Sequence, residues 1–142
     1  SALRRDLSSL PFALEVCESA AEAQEVIDEI DAGGGHVAVI VCDHVMPDKS
    51  GVDWMAEVNA DGRFARTGKL LLTGLATHRD TIQAINEADI DLYLEKPWDP
   101  DVLRASVRRM ATEYVLAAGI DHSDMIGDLD QEVLYRELKT RV

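Results

Sequence analysis

The sequence predicts a doubly wound α/β fold, in which helices cover both faces of a parallel sheet. Strand-like and helix-like segments alternate from residue 12 to residue 118 in the order βαβαβαβα, which is typical of parallel sheets with crossover helices. The segments 37–42 and 69–73 also contain uninterrupted apolar runs. Strands of that composition are expected to be covered on both faces, so the two observations predict the same fold class.

The first predicted unit is a strand at residues 12–17, "FALEVC", where apolar side chains alternate along the segment. Ser19 and Glu22 then form the pattern of a capping box, in which two side chains bond backbone N–H groups at the start of a helix. The glycines at 33–35 are expected to end this helix.

Two further strand and helix pairs follow. Strand 37–42 is expected at the centre of the sheet, and it leads to a helix that Ser50 can cap and that "DGR" at 61–63 ends. Strand 69–73 leads to a helix near 78–88, where apolar side chains recur every three residues.

The last unit begins with a strand at 91–96. Asp99 can cap the next helix, and Pro100 suits its first position because proline lacks the N–H that would have no partner there. One face of this helix is apolar up to residue 118, and Gly119 is expected to close it.

The composition limits the classes of function. A formal net charge of −13 argues against direct contact with nucleic acid, because phosphate backbones repel an acidic surface. The longest uninterrupted apolar run, 37–42, is far shorter than the ~20 residues of a membrane span. Two cysteines, Cys17 and Cys42, are too few for a disulfide framework, and the N-terminus lacks the pattern of a signal peptide. We therefore expect a cytoplasmic protein without membrane contact.

Three polar side chains follow the apolar runs of consecutive predicted strands: Asp43, Thr73 and Lys96. Ligands of open parallel sheets bind beyond the carboxyl ends of the strands. A carboxylate can accept a phosphoryl group as an acyl phosphate, while a hydroxyl and an ammonium can hold its oxygens. Each residue alone could be an ordinary turn, strand-end or surface residue, but the three together predict a phosphoryl-transfer site.

The stretch "VCDHVMPDKSG" resembles the phosphorylation loop of response-regulator receiver domains, in which Asp is followed by two residues, Met-Pro, three residues and Gly. "LLLTG" and "LEKPW" resemble that family's hydroxyl-bearing and Lys-Pro motifs. The spacings of 30 residues from Asp43 to Thr73 and of 23 from Thr73 to Lys96 also suit the family. The resemblance covers roughly residues 3–118. "KPWDP" is further similar to receivers of nitrogen-regulator-type activators or phosphodiesterase-linked regulators.

The resemblance implies a two-component signalling switch and not an enzyme. Asp43 would be the phosphoacceptor for a sensor histidine kinase, Thr73 the switch hydroxyl and Lys96 the cationic partner of the phosphoryl group. The implied fold is flavodoxin-like, with strand order 2-1-3-4-5. The implied receiver domain spans residues 1–118, and the extension 119–142 is interpreted either as a packing tail or as a linker or dimer helix.

Further implied features surround Lys96. Tyr93 stands at the position of the family's rotating aromatic residue, although a half-buried tyrosine is equally natural on a strand. Pro97 would follow a cis peptide bond. The face around residues 75–102 would contact an output domain or a second copy in a homodimer.

The resemblance also implies Mg²⁺, bound by Asp43 and the backbone carbonyl of Val45. The remaining acidic ligands are expected on a first strand that would precede Ser1, because the sequence from Ser1 already fits the first helix. A degenerate pseudo-receiver, acting as a docking module without phosphorylation, is the alternative, and a strand swapped from another chain is a third. A phosphatase of the haloacid-dehalogenase type would need a second Asp where Val45 stands, so we disfavour that enzyme.

Overall fold

The structure is a computed structural model that describes residues 2–74 and 79–141. Three β-strands lie in this part of the chain: β1 (Val39–Asp43), β2 (Gly68–Thr73) and β3 (Leu92–Glu95). Its α-helices are α1 (Ala2–Leu7), α2 (Ala20–Ala32), α3 (Gly51–Ala60), α4 (Arg79–Glu87), α5 (Pro100–Ala117) and α6 (Gln131–Arg141). Short 3-10 helices span Gly62–Phe64 and Ser123–Asp128.

The three strands form one parallel sheet in the order β1-β2-β3. Apolar side chains on β2 alternate between the two faces, as the pleat of a strand requires. Leu70 and Leu72 belong to the core shared with α1 and α5, whereas Leu71 belongs to the core shared with α2, α3 and α4. The predicted α/β class with helices on both faces is therefore confirmed.

The predicted helix caps form as expected. The Ser19 side chain accepts a hydrogen bond from the backbone N–H of Glu22, and Ser50 does the same for Asp53. Asp99 accepts from the N–H of Asp101 at the start of α5, with Pro100 in the first position of the helix. Each cap satisfies an N–H that lacks a partner within its helix, which stabilises the start of a helix by about 1 kcal/mol.

The structure contradicts the strand predicted at residues 12–17. It also places β1, which was expected at the centre of the sheet, at an edge of the three described strands. Residues 13–17 have no regular secondary structure and belong to no strand. In the described part of the chain, β1 pairs only with β2, so no neighbouring strand offers these residues a ladder. Alternating apolar side chains create a strand only where a partner accepts the backbone hydrogen bonds. The order 2-1-3-4-5 stays a prediction.

The C-terminal extension folds back onto α5. Gly119 adopts a left-handed conformation (φ 69°) just after α5, and α6 follows the 3-10 helix. The Thr112 hydroxyl, buried on α5, accepts a hydrogen bond of 2.8 Å from the N–H of Asp130, while Leu129 and Val133 are buried. These contacts fit the packing-tail interpretation, and the linker or dimer role stays a prediction. Among the described residues, no helix is both long and apolar enough to cross a membrane.

Candidate functional site

The register of the sheet brings the predicted site residues to one edge. Asp43 pairs with Leu72 on β2, so Thr73 lies one residue beyond that pair. Thr73 pairs in turn with Glu95 on β3, and the N–H of Lys96 donates to the Thr73 carbonyl at 2.9 Å. The carboxyl ends of three neighbouring strands therefore present Asp43, Thr73 and Lys96 together.

The Asp43 carboxylate has a partner for each oxygen. Lys96 Nζ donates to Oδ2 at 2.5 Å, and the Val45 N–H donates to Oδ1 at 3.0 Å. The Asp43 side chain is 43% exposed and that of Lys96 is 34% exposed. A carboxylate held between an ammonium and an amide, yet open to solvent, is suited to react with an incoming electrophile while its neighbours bind the oxygens that arrive.

The loop after Asp43 is closed by Gly51, the first residue of α3. The Gly51 N–H donates to the His44 carbonyl at 2.8 Å. A Cβ atom on Gly51 would lie 2.4 Å from the Asp43 carbonyl oxygen and 2.9 Å from Leu71 Cδ1. The backbone thus passes so close to Asp43 that only glycine fits without a shift, which explains the glycine at the end of the loop motif.

Asp48 has a structural role that the sequence did not indicate. Its two carboxylate oxygens accept hydrogen bonds from the N–H groups of Ala20 and Ala21, at 3.1 and 2.9 Å. These bonds, that from Ala21 foremost, hold the pKa of the Asp48 carboxyl below its usual range. Asp48 therefore ties the loop after Asp43 to the start of α2, 28 residues earlier in the chain. No local sequence pattern predicts a contact between residues so far apart in the chain.

Thr73 and Tyr93 differ in exposure. Thr73 is buried at 1% exposure. Tyr93 is 38% exposed. Its strand neighbours Leu92 and Leu94 pack against the core of α1 and α5, so Tyr93 lies on the other face of the sheet. The peptide bond between Lys96 and Pro97 is cis, as predicted. The residues 75–78 of the predicted partner face lie outside the described residues.

Cys42 lies directly behind the site. Its thiol donates to the Asp43 carbonyl at 3.2 Å. Burial, followed by the nearby Asp43 charge, raises the pKa of Cys42 to about 12. The thiol is therefore protonated and acts as a small apolar core residue.

The described residues do not complete a metal site by themselves. Mg²⁺ prefers six oxygen ligands in octahedral geometry. In residues 2–74 and 79–141, no three His, Cys, Asp or Glu side chains are placed together as ligands, and the Asp43 carboxylate is already paired with Lys96. Asp43 and the Val45 carbonyl are thus an incomplete set for this cation.

Comparison with known proteins gives consistent matches. The model of the response regulator receiver domain family matches residues 2–108. The hydrogenase transcriptional regulatory protein HoxA of Cupriavidus necator is 32% identical over 124 residues, which are 87% of this chain and 24% of that protein. HoxA of Bradyrhizobium diazoefficiens is 30% identical over 137 residues, with 93% and 27% covered. The chain therefore spans about a quarter of the length of these relatives.

A solved structure supports the same fold. The signal receiver domain of an HD domain-containing protein from Pseudomonas fluorescens Pf-5 superimposes with a TM-score of 0.70 at 25% identity. The superposition covers 84% of this chain and 83% of that one. The likeness extends over most of both chains, so it describes the domain as a whole and not one motif.

Proposed function

The chain belongs to the response-regulator receiver family, and from this premise we propose that it is a phosphorylation switch with Asp43 as its phosphoacceptor. A sensor histidine kinase would be the donor. The observation that carries the proposal is the hydrogen-bonded pair of Asp43 and Lys96 at the exposed carboxyl edge of the sheet. Family membership alone leaves open whether a member is phosphorylated, whereas this pair supplies both the nucleophile and the cation.

The proposed transfer follows from the geometry of the pair. An oxygen of the Asp43 carboxylate attacks the phosphorus of the kinase phosphohistidine. An O–P bond forms as the N–P bond breaks, and the electron pair of the broken bond stays on the histidine nitrogen. Lys96 then bonds a phosphoryl oxygen in place of the carboxylate, so the ammonium offsets the added negative charge. Asp43 is an acceptor in this scheme and performs no turnover.

We propose Thr73 as the switch hydroxyl. It lies one residue beyond the partner of Asp43 on the neighbouring strand, so the phosphoryl group would arrive beside it. Movement of Thr73 toward this group would leave space for Tyr93, which changes the face around residues 75–102. Val102 and Tyr93 already expose apolar surface there, at 47% and 38%. This face is our candidate contact for an output domain or a second copy.

Mg²⁺ belongs to the proposal as a cofactor, with Asp43 and the Val45 carbonyl as two of its ligands. The cation would neutralise charge on the phosphoryl oxygens. Its remaining oxygen ligands must come from outside the described residues. The pseudo-receiver without phosphorylation is less well supported, because the exposed Asp43 and Lys96 pair would have no use in a docking module.

Substitution of Asp43 tests the proposal directly. Asp43→Asn keeps the size of the side chain but replaces the nucleophilic carboxylate with an amide, so phosphoryl incorporation should vanish. The measurement is radiolabel transferred from a cognate kinase or from acetyl phosphate in the presence of Mg²⁺, with circular dichroism as the control for folding. Undiminished labelling of a folded Asp43→Asn protein would place the acceptor elsewhere. A wild-type protein that binds Mg²⁺ but takes no label would favour the pseudo-receiver.

A further inference from the structure

A buried carboxylate interrupts the apolar face of α1. Leu3, Leu7 and Leu10 face the core shared with α5. Asp6 follows Leu3 by three residues and therefore lies on the same face of the helix. Asp6 is only 7% exposed. An apolar side chain would serve packing at this position, and a buried charge needs hydrogen bonds to compensate for its lost hydration. The carboxylate therefore calls for a specific explanation.

The main partner of the Asp6 carboxylate is an indole. Trp98 Nε1 donates to Oδ2 at 2.9 Å, and this bond is the largest cause that lowers the pKa of Asp6 below its usual range. Arg5 Nε reaches Oδ1 only at 3.4 Å from an exposed side chain. Arg104 Nη1 donates to the Asp6 backbone carbonyl at 3.1 Å, so α5 holds the same turn of α1. Asp6 thus fixes the direction of the Trp98 ring.

Trp98 stands two residues after Lys96 in the turn between β3 and α5. Its ring packs against the core of α1 and α5. At the other end of this short segment, Lys96 bonds the Asp43 carboxylate through Nζ and the Thr73 carbonyl through its N–H. The segment 96–98 is therefore held between two carboxylates, Asp43 at the phosphoacceptor site and Asp6 on α1.

We infer that Asp6 is a positioning residue for Lys96. Asp6 acts through its hydrogen bond with the Trp98 indole. The bond sets the depth and direction of the indole, the indole fixes the turn, and the turn aims the Lys96 ammonium at Asp43. An apolar residue at position 6 would fill the same volume but would leave the indole N–H without its acceptor. The inference rests on the proposed function, because it gives Lys96 a phosphoryl group to bind.

Three variants separate positioning from packing. Trp98→Phe keeps an aromatic ring but removes the donor, and Asp6→Ala removes the acceptor. Asp6→Asn retains a carbonyl oxygen that can accept from the indole, so it is the conservative rescue. Trp54→Phe is the control, since the Trp54 Nε1 also donates to a side chain, Gln24, at 3.0 Å, and its ring belongs to the core on the opposite face of the sheet.

The first measurement does not depend on phosphorylation. In ¹H–¹⁵N spectra of the full chain, the backbone amides of Lys96 and Asp43 should shift in Asp6→Ala and in Trp98→Phe. Both should return toward their wild-type positions in Asp6→Asn, and Trp54→Phe should leave them in place. If Asp6→Ala does not fold, Trp98→Phe and Asp6→Asn still provide the comparison.

The second measurement is the rate of labelling by acetyl phosphate with Mg²⁺. Asp6→Ala and Trp98→Phe should lower the labelling rate by roughly three- to tenfold, which corresponds to the net free energy of one hydrogen bond. Asp6→Asn should restore most of the rate. Unchanged amides and rates in folded Asp6→Ala and Trp98→Phe would overturn the inference, as would equal effects from Trp54→Phe. A wild-type protein that binds Mg²⁺ but takes no label would refute the proposed function, while the amide shifts would still decide the role of Asp6.

Discussion

The loop 44–50 and the segment 13–17 both lead into helices on the same face of the sheet, but they are held in different ways. The loop is bonded at several points: Val45 to Asp43, Asp48 to the start of α2, and Gly51 to His44. The segment 13–17 belongs to no strand, and Leu14 within it is 39% exposed.

The geometry of the site depends on specific contacts of the backbone and side chains. Each contact that shapes the loop requires a particular residue type. Gly51 must lack a Cβ atom, and Asp48 must offer two carboxylate oxygens. The segment 13–17 has apolar side chains but no ladder, and none of its residues belongs to either core cluster. Substitutions in the loop should therefore lower the stability of the protein strongly, whereas substitutions in the segment should lower it little.

Gly51→Ala should produce the largest loss of stability among substitutions in the loop. Its Cβ would lie 2.4 Å from a backbone oxygen, that of Asp43, so α3 or β1 must shift. Overpacking of this kind costs about 1–3 kcal/mol. Thermal melting measures it, with Gly62→Ala as the control because nothing lies within 4 Å of a Cβ at that position. Equal melting temperatures for the two variants would show that the loop is not closed as described.

Lys96→Ala should abolish most phosphoryl incorporation but leave the fold intact. The pair with Asp43 is partly exposed, and such pairs contribute only about 0–1 kcal/mol to stability. Labelling should fall by roughly tenfold or more, because the charged hydrogen bond to a phosphoryl oxygen is lost. Lys49→Ala is a suitable control, since Lys49 pairs with Glu57 at 2.6 Å at similar exposure. A collapse of the melting temperature in Lys96→Ala alone would make Lys96 a structural residue.

Much of the site was predictable because it follows from topology. Parallel strands share one carboxyl edge, so residues after three apolar runs converge whatever the details of packing. Asp43 and Lys96 were placed in this way, and their contact was found. The roles of Asp48 and Asp6 were not predictable, because each depends on a partner distant in the chain, Ala21 or Trp98. Acidic residues with such partners look like surface residues in the sequence.

Asp48→Ala should have a smaller effect than Gly51→Ala. It removes the acceptor for two N–H groups of α2, but the Ser19 cap remains. The pKa of Asp48 is lowered in the folded chain, so its contribution is fully present above the ordinary carboxyl pKa, about 4. That contribution is lost as the pH falls through the lowered value. The difference in melting temperature between wild type and Asp48→Ala should therefore be full at pH 7 and shrink in strong acid.

Asp48→Asn provides the control for this pH dependence. The amide retains one acceptor oxygen and cannot titrate as a carboxyl, so its melting temperature should lie between those of the wild type and Asp48→Ala at pH 7. A difference between wild type and Asp48→Ala that stays constant from pH 7 into strong acid would show that the carboxylate does not cap α2.

Leu14→Ser should have the smallest effect, and it examines the predicted strand that the structure does not contain. In a strand buried in the sheet, loss of this side chain would cost as much as a core truncation, about 2–5 kcal/mol. In the structure Leu14 is 39% exposed and lies outside the sheet, so the melting temperature should fall only slightly. Leu70→Ala, at a side chain with 0% exposure on β2, supplies the reference for a true core loss. If Leu14→Ser destabilised the protein as much as Leu70→Ala, residues 12–17 would have to pair with the sheet in solution. The contrast between the fixed loop and the unpaired segment would then fail.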